Sequence, residues 1–513
     1  MAIKIIMLVV FFAIMVSVGL YCRKHATDVN GFVLGGRNVG PWLTAFAYGT
    51  TYFSAVIFVG YAGQFGWKFG IASTWIGIGN AFLGSLLAWG VLGRRTRLMT
   101  HHFDSATMPE FFGARFGSDS LKVAASLIIF TFLIPYTASL YNGLSRLFGM
   151  AFNIDYTVCI VIMAVLTGIY VIAGGYMATA INDFIQGIIM LIGITAVVAA
   201  VLKTNGGLVG SLSALSRVTD ESVSTDPGVF ASFFGPDPLG LLGVILLTSL
   251  GTWGLPQMLQ KFYSIKSEAD IYKGTVISTI FALVVAGGCY FLGGFGRLFT
   301  TADAVAANGP DSIIPTILSG FSPLLIGLIV ILVLSASMST LSSLVMVSSS
   351  TLTLDFIKAL FKKDMSEEKQ LLTIRLLIVI FILISVIIAV FQYRANVYFI
   401  AQLMGVSWGA LAGSFLAPFF YGLYSKRATK AGCFVCFAFG SLLMIANLLF
   451  RSSFPAILQS PINCGAFAML AGFIILPLVS AFTKKPDQQL VDDAFACYDA
   501  KVTVSVKYVL EEG

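Results

Sequence analysis

The chain has 513 residues, 58% of them hydrophobic and only 11% charged, with a formal net charge of +7. An average soluble protein is about 45–50% apolar and about 25% charged, so these residues cannot supply a water-facing surface for a chain of this size. That excludes a soluble enzyme, a disordered chain and a disulfide scaffold. The 44 Phe and 51 Gly fit an all-α polytopic membrane protein, in which small residues let helices approach closely.

Apolar runs of about 17–25 residues are the unit of such a chain, because about 30 Å of hydrocarbon takes about 20 helical residues. Thirteen are predicted, over residues 3–22, 41–66, 72–93, 121–147, 156–175, 180–202, 238–260, 274–296, 322–357, 371–391, 396–424, 429–450 and 463–482. The first follows Lys4 and resembles a secretory leader, but no small-residue cleavage site precedes Arg23-Lys24, so it is expected to be a retained helix. Connections are short. The longest, 203–237, is polar and leaves no room for a soluble catalytic domain.

Alternating the loops from an outside N-terminus sorts the charge. One side receives 23 of the 31 Lys and Arg, in the groups Arg23, Lys24 and Arg37; Arg94, Arg95, Arg97, Arg115 and Lys122; Lys261, Lys266 and Lys273. Residues 358–375, 426–430 and the tail lysines 484, 485, 501 and 507 complete it, with Lys362 and Lys363 among them. Such an excess marks the cytoplasmic side. The expectation is a multi-pass protein of the cell membrane, N-terminus outside and C-terminus inside, whose positive charge records topology and calls for no nucleic acid.

The span near Thr51 is interrupted by Gly49, Gly60 and Gly63, and the span about 200 residues later by Gly251, Gly254 and Pro256. Broken spans at matching positions of two five-helix halves point to an inverted-repeat transporter, in which freed carbonyls hold a cation and helix N-termini face an anionic group. The expected organisation is an extra helix at 1–22, a first repeat at 38–202, an extracellular loop at 203–237, a second repeat at 238–424, two peripheral helices within 425–486 and a cytoplasmic tail at 487–513.

Ionisable groups inside a membrane are costly and therefore functional candidates. Asp183 lies in an apolar span with no basic neighbour in sequence, and needs a counter-charge, a proton or a metal cation; the alternative is an interfacial residue capping a helix start. The run Ser335-Ala336-Ser337-Met338-Ser339-Thr340-Leu341-Ser342-Ser343 puts Ser335, Ser339 and Ser342 on one face. Neutral hydroxyls suit an exchangeable monovalent cation, and equally suit close helix packing. All three histidines fall in loops, Cys433 and Cys436 are expected to be packing residues, and neither a nucleophile elbow nor a phosphate-binding loop occurs.

The segments Leu34-Gly35-Gly36-Arg37, Gly174-Gly175 through Gln186-Gly187, Met338-Ser339-Thr340-Leu341-Ser342 and Lys426-Arg427-Ala428-Thr429-Lys430-Ala431-Gly432 resemble the sodium/solute symporter family over nearly the whole chain. The resemblance implies thirteen helices with a leucine-transporter-like core of two inverted five-helix repeats. It implies a principal Na+ site at Thr50, Phe53, Ala336, Ser339 and Thr340, and a second at Asp183, Ser342 and Ser343 like that of sialic-acid symporters, hence one or two ions. Tyr136-Thr137-Ala138-Ser139 is similar to proline symporters, which carry an Asp where this chain has Tyr52. Thr51-Tyr52-Phe53-Ser54-Ala55 and Gly254-Leu255-Pro256 look more like pantothenate symporters.

The expected substrate is accordingly a small carboxylate such as proline or pantothenate, with a sugar or sialic acid as the alternative. Its expected lining is Thr51, Tyr52, Ser54, Tyr136, Trp253 and Gln257, and no intramembrane Arg or Lys is expected to clamp it. The rival readings are a proton-coupled carrier of the same fold, with Asp183 protonated, and a transport-inactive membrane sensor.

Overall fold

In hydrocarbon every backbone N–H and C=O must find its partner within the protein, and a continuous apolar run does so most simply as a helix. A computed structural model describes residues 2–499 apart from 153–154, 225, 362–363 and 395–399. Lys362, Lys363 and the tail from residue 500, with Lys501 and Lys507, lie outside the described residues. The described chain contains no β-strand, only isolated bridges such as Val39 with Ile265.

The first crossing is α1 (Ala2–Cys22), and α2 (Pro41–Tyr52) opens the core. The stretch Val56–His102 follows, then α3 (Asp119–Phe152) and α4 (Tyr156–Thr204). The second half holds α5 (Pro238–Leu250), α6 (Pro256–Ser264), α7 (Glu268–Gly294), α8 (Pro323–Thr351), α9 (Glu367–Arg394) and α10 (Ile400–Tyr424). Beyond it lie α11 (Lys430–Leu449), α12 (Pro461–Phe482) and the short α13 (Gln488–Ala496).

Among the described residues ten helices are long and apolar enough to cross a membrane, eleven if the bent pair Pro238–Gly254 and Pro256–Ser264 counts as one span. Two of the ten, Val56–His102 and Thr157–Thr204, run for 47 and 48 residues. At 1.5 Å per residue each is about 70 Å long, more than twice the hydrocarbon thickness.

Each doubles back at a glycine of positive φ, Gly70 (62°) and Gly175 (56°), where a side chain would be strained. Packing shows both reversals. Before Gly70 the chain climbs α7, Gly49 against Phe281 and Gly66 against Gly293; after it the chain descends, Gly77 against Gly287 and Gly93 against Ile271. Likewise Tyr170 and Gly174 advance along α1 past Gly19 and Cys22, whereas Asn182 and Gln186 reach back to Met15. Counting each as two crossings gives the thirteen expected.

The loops that the charge pattern grouped together do meet at one end. Arg37 donates to the Ser105 carbonyl (3.0 Å), Arg97 to the Lys266 carbonyl (2.7 Å) and Arg115 to the Gly422 and Ser425 carbonyls (2.8 Å each). α13 docks there too, with Asp492 on Lys426 and Asp493 on His102. At the other end Lys68 pairs with Asp237 and Arg297 with Asp220. The hydroxyl of Ser222 and then the Arg297 guanidinium hold the Asp220 carboxyl below the usual carboxylate range.

α8 is the axis of the bundle. Every residue from Ile329 to Thr351 is buried, so its hydroxyl-rich part faces protein on all sides.

Candidate functional site

The two breaks flank α8, and each has a local cause. α2 stops at Tyr52 because Phe53 (φ −100°, ψ 84°) leaves the helical region, and Val56–Tyr61 restarts as a π-helical turn. The expected breakers are not the cause. Gly49, Gly60 and Gly63 all lie in helical backbone; a Cβ on Gly49 would fall within the Phe281 ring, and one on Gly63 would press on Ile313 and Ile314. Gly49 and Gly63 permit close approach instead. The second break matches the expectation: Gly251–Gly254 tightens to a 3-10 turn, Leu255 is extended (φ −89°, ψ 122°), Pro256 opens α6, and the halves bend by 47°.

A helix that ends inside the protein leaves its last carbonyls without helical partners. Here the Phe53 N–H returns to the Gly49 carbonyl, and the Thr50 and Thr51 carbonyls are left to α8. Ser339 Oγ donates to the Thr50 carbonyl (3.0 Å) or the Ala336 carbonyl (3.2 Å). Thr340 Oγ1 lies 3.3, 3.2 and 3.1 Å from the carbonyls of Thr50, Thr51 and Ala336.

Five neutral oxygens therefore converge at spacings near 3 Å. Adjacent ligands of a cation with oxygen bonds of about 2.3–2.6 Å stand at such spacings. Each of the two hydroxyls has only one proton to offer to several carbonyls. Of the expected principal ligands, Thr50, Ala336, Ser339 and Thr340 come together with the Thr51 carbonyl, and Phe53 lines a small cavity with Ala336. Among the described residues no group of three or more His, Cys, Asp and Glu could hold a metal ion.

The remaining hydroxyls of α8 divide. Ser337, Ser342, Ser350 and Thr351 bond back to carbonyls three or four residues earlier, as helical hydroxyls commonly do. Ser343 reaches out: its Oγ pairs with Thr51 Oγ1 (2.9 Å) and accepts from Lys261 Nζ (3.1 Å).

Lys261 requires a correction. It was grouped with the loop charges, and no intramembrane Lys or Arg was expected. In fact Lys261 is 1% exposed, held in α6 between Ser343 and the Tyr176 ring (5.2 Å). Asp183 is also not an interfacial cap. It is wholly buried within α4, neither carboxylate oxygen has a hydrogen-bond partner, and Lys261 is the charge that acts on it. Nothing in the sequence relates Asp183 to Lys261, which lies 78 residues further on.

The expected substrate-lining residues are buried around the same breaks. Tyr52 stacks on Phe53 (4.2 Å) and its hydroxyl donates to the Thr248 carbonyl; Trp253 Nε1 donates to the Leu83 carbonyl (3.0 Å). By contrast Tyr136 OH lies between Ser54 and Trp408 without forming a well-directed hydrogen bond to either, and Gln257 Oε1 is buried with no hydrogen-bond partner. Trp408 of α10 was missed. It packs edge-on to Tyr136 (6.0 Å) and beside Tyr52 (6.1 Å), and its Nε1 is also unpartnered. A lone Trp in an apolar span carried no signal of this. The cavity beside Phe53, Ser54 and Ala336 has a volume of about 10 Å³, near the minimum for one water.

A family model described as the sodium:solute symporter family matches residues 32–440. The sodium/proline symporter of Staphylococcus aureus is 31% identical over 496 residues, covering 94% of this chain and 93% of that protein. A solved Na+-coupled sialic acid symporter, in a substrate-bound outward-open state, superposes with a TM-score of 0.69 at 16% identity over 95% of this chain and 99% of that one. The shared fold is the leucine-transporter type.

Proposed function

Because the chain belongs to the sodium:solute symporter family, and is a multi-pass secondary transporter and no enzyme, we propose that it imports a small organic carboxylate down the Na+ gradient, with proline the first candidate. The observation that carries the ion's placement is the meeting of the freed Thr50 and Thr51 carbonyls with Ser339 and Thr340. Na+ is cargo here: it would be held by the carbonyls of Thr50, Thr51 and Ala336 and the two hydroxyls. Na+ bound there ties the break in α2 to α8, and so fixes Ser54 beside Tyr136 and Trp408, whose free polar atoms receive the solute. A carboxylate is received by these groups and by the N–H groups opening α6, next to Gln257.

The identity and coverage shared with the sodium/proline symporter favour proline over pantothenate, sugars and sialic acid. The basic-rich end is placed in the cytoplasm, so that Na+ loads from outside and leaves into the low-sodium side. The 10 Å³ cavity beside Phe53, Ser54 and Ala336 admits no organic solute, so a solute received at Ser54 requires the packing around that cavity to open. Binding must be reciprocal: the solute raises Na+ affinity by the factor by which Na+ raises solute affinity.

The test is thermal stability of the protein in liposomes, across proline, pantothenate, other amino acids and sugars, in sodium or in choline. A ligand that binds the folded state raises its apparent stability. Proline stabilising in sodium alone is the expected result. Stabilisation indifferent to sodium refutes sodium coupling, and stabilisation by a different solute refutes the substrate.

A further inference from the structure

The group of Asp183, Ser342 and Ser343 was expected to hold a second Na+. The structure puts a buried cation of its own on this group, with the Lys261 ammonium on Ser343. We propose that Lys261 takes the role of that second ion, so that this chain binds one Na+ where its ligand set would otherwise hold two. The inference rests on the sodium-coupled reading above.

Asp183 and Lys261 are 0% and 1% exposed, and the Lys261 ammonium sits on Ser343, one of the three expected ligands, and over the Tyr176 ring. A buried carboxylate needs one compensating positive charge, and the ammonium already supplies it. A Na+ added beside the ammonium would bring a second positive charge to the one buried carboxylate of this group, which is strongly unfavourable. The candidate ligands are also engaged: Ser343 Oγ accepts from Lys261 Nζ at 3.1 Å, and Ser342 Oγ donates to the Ser339 carbonyl at 2.8 Å.

The tethered cation is joined to the ion site proper. Thr51 gives its carbonyl to Thr340 (3.2 Å) and pairs its hydroxyl with Ser343 (2.9 Å). One residue of the broken helix thus touches both the site of the exchangeable ion and the partner of the fixed one. A tethered cation holds the α2–α8–α6 junction as an ion would but moves no charge down the gradient, so coupling becomes one Na+ per solute.

The test counts radioactive sodium bound per polypeptide at saturation, on the purified full chain. The wild type is expected to bind one, Lys261→Met two, and Asp183→Asn combined with Lys261→Met one. Lys261→Gln, which keeps a polar head in the same space, is counted alongside should the methionine variant not purify as a monodisperse protein. Two ions on the wild type, or one on a well-folded Lys261→Met or Lys261→Gln protein, overturns the inference and leaves sodium coupling standing. None on the wild type removes the sodium reading, and the inference with it.

Discussion

Replacing Thr340 with valine removes one oxygen and almost no volume, which makes it the cleanest perturbation of the ion site. The lost Oγ1 faces three carbonyls at 3.1–3.3 Å and would be one of five ligands. A contact between a dipolar group and a charge is worth about 1.5–3 kcal/mol, so Na+ affinity should fall about 10- to 150-fold. The readout is sodium-dependent thermal stabilisation. At a Na+ concentration 100 times the wild-type Kd the wild type gains about 2.7 kcal/mol. The same relation leaves the variant about 0.3–1.4 kcal/mol at that concentration. Ser348→Ala is the control, since the Ser348 hydroxyl is buried in the same helix with no partner; it should keep the full gain. Thr340→Val and Ser348→Ala responding alike would refute the assignment of the ion to the α2 break.

Tyr136→Phe and Trp408→Phe each delete one polar atom of the buried Ser54, Tyr136 and Trp408 group; solute should bind about tenfold more weakly, while Na+ binding without solute is unchanged by isothermal titration. Gly66→Ala would set a Cβ 2.0 Å from the Gly293 carbonyl carbon, where contacts need about 3.5–4.0 Å; helices must part, at about 1–3 kcal/mol or more, and size-exclusion should show little monodisperse protein. Gly287→Ala, with nothing within 4 Å of the new Cβ, should be neutral or stabilising by up to about 1 kcal/mol. Since the pKa of Asp220 is depressed in the folded protein, its contribution is complete above about pH 4, the ordinary carboxylate value, and is lost as pH falls through the lower folded value. Hydrogen exchange of the 217–237 loop should be insensitive to this group between pH 5 and 8, rise in stronger acid, and lose that acid response in Asp220→Asn.

How much was legible in advance follows from what kind of force sets each feature. The all-helical class, the thirteen crossings and the sharing of ends by the basic loops could be read from the chain, because a bilayer imposes a length and a polarity on every segment separately. The break before Pro256 could be read for a similar local reason, since proline lacks the N–H that would continue the helix. The ion site was half legible: the hydroxyls of α8 stood out as a polar run, but whether a serine bonds back to its own helix, as Ser342 does, or crosses to another, as Ser339 does, depends on what packs opposite. For the same reason the contact of the Thr51 carbonyl with Thr340 and the packing of Trp408 on Tyr136 were not legible in the sequence.

The burial of both Asp183 and Lys261, with Lys261 on Ser343, belongs wholly to the tertiary structure. Lys261 lies near the end of an apolar span, where a lysine ordinarily extends its ammonium to the interface, and sequence alone assigns it to the loop. The bend at Leu255 turns α6 inward, so the same lysine is carried against Ser343 instead. Composition and spacing determine which segments enter the membrane; which buried charges meet there is decided by how the broken helices cross, and that is a property of the whole bundle.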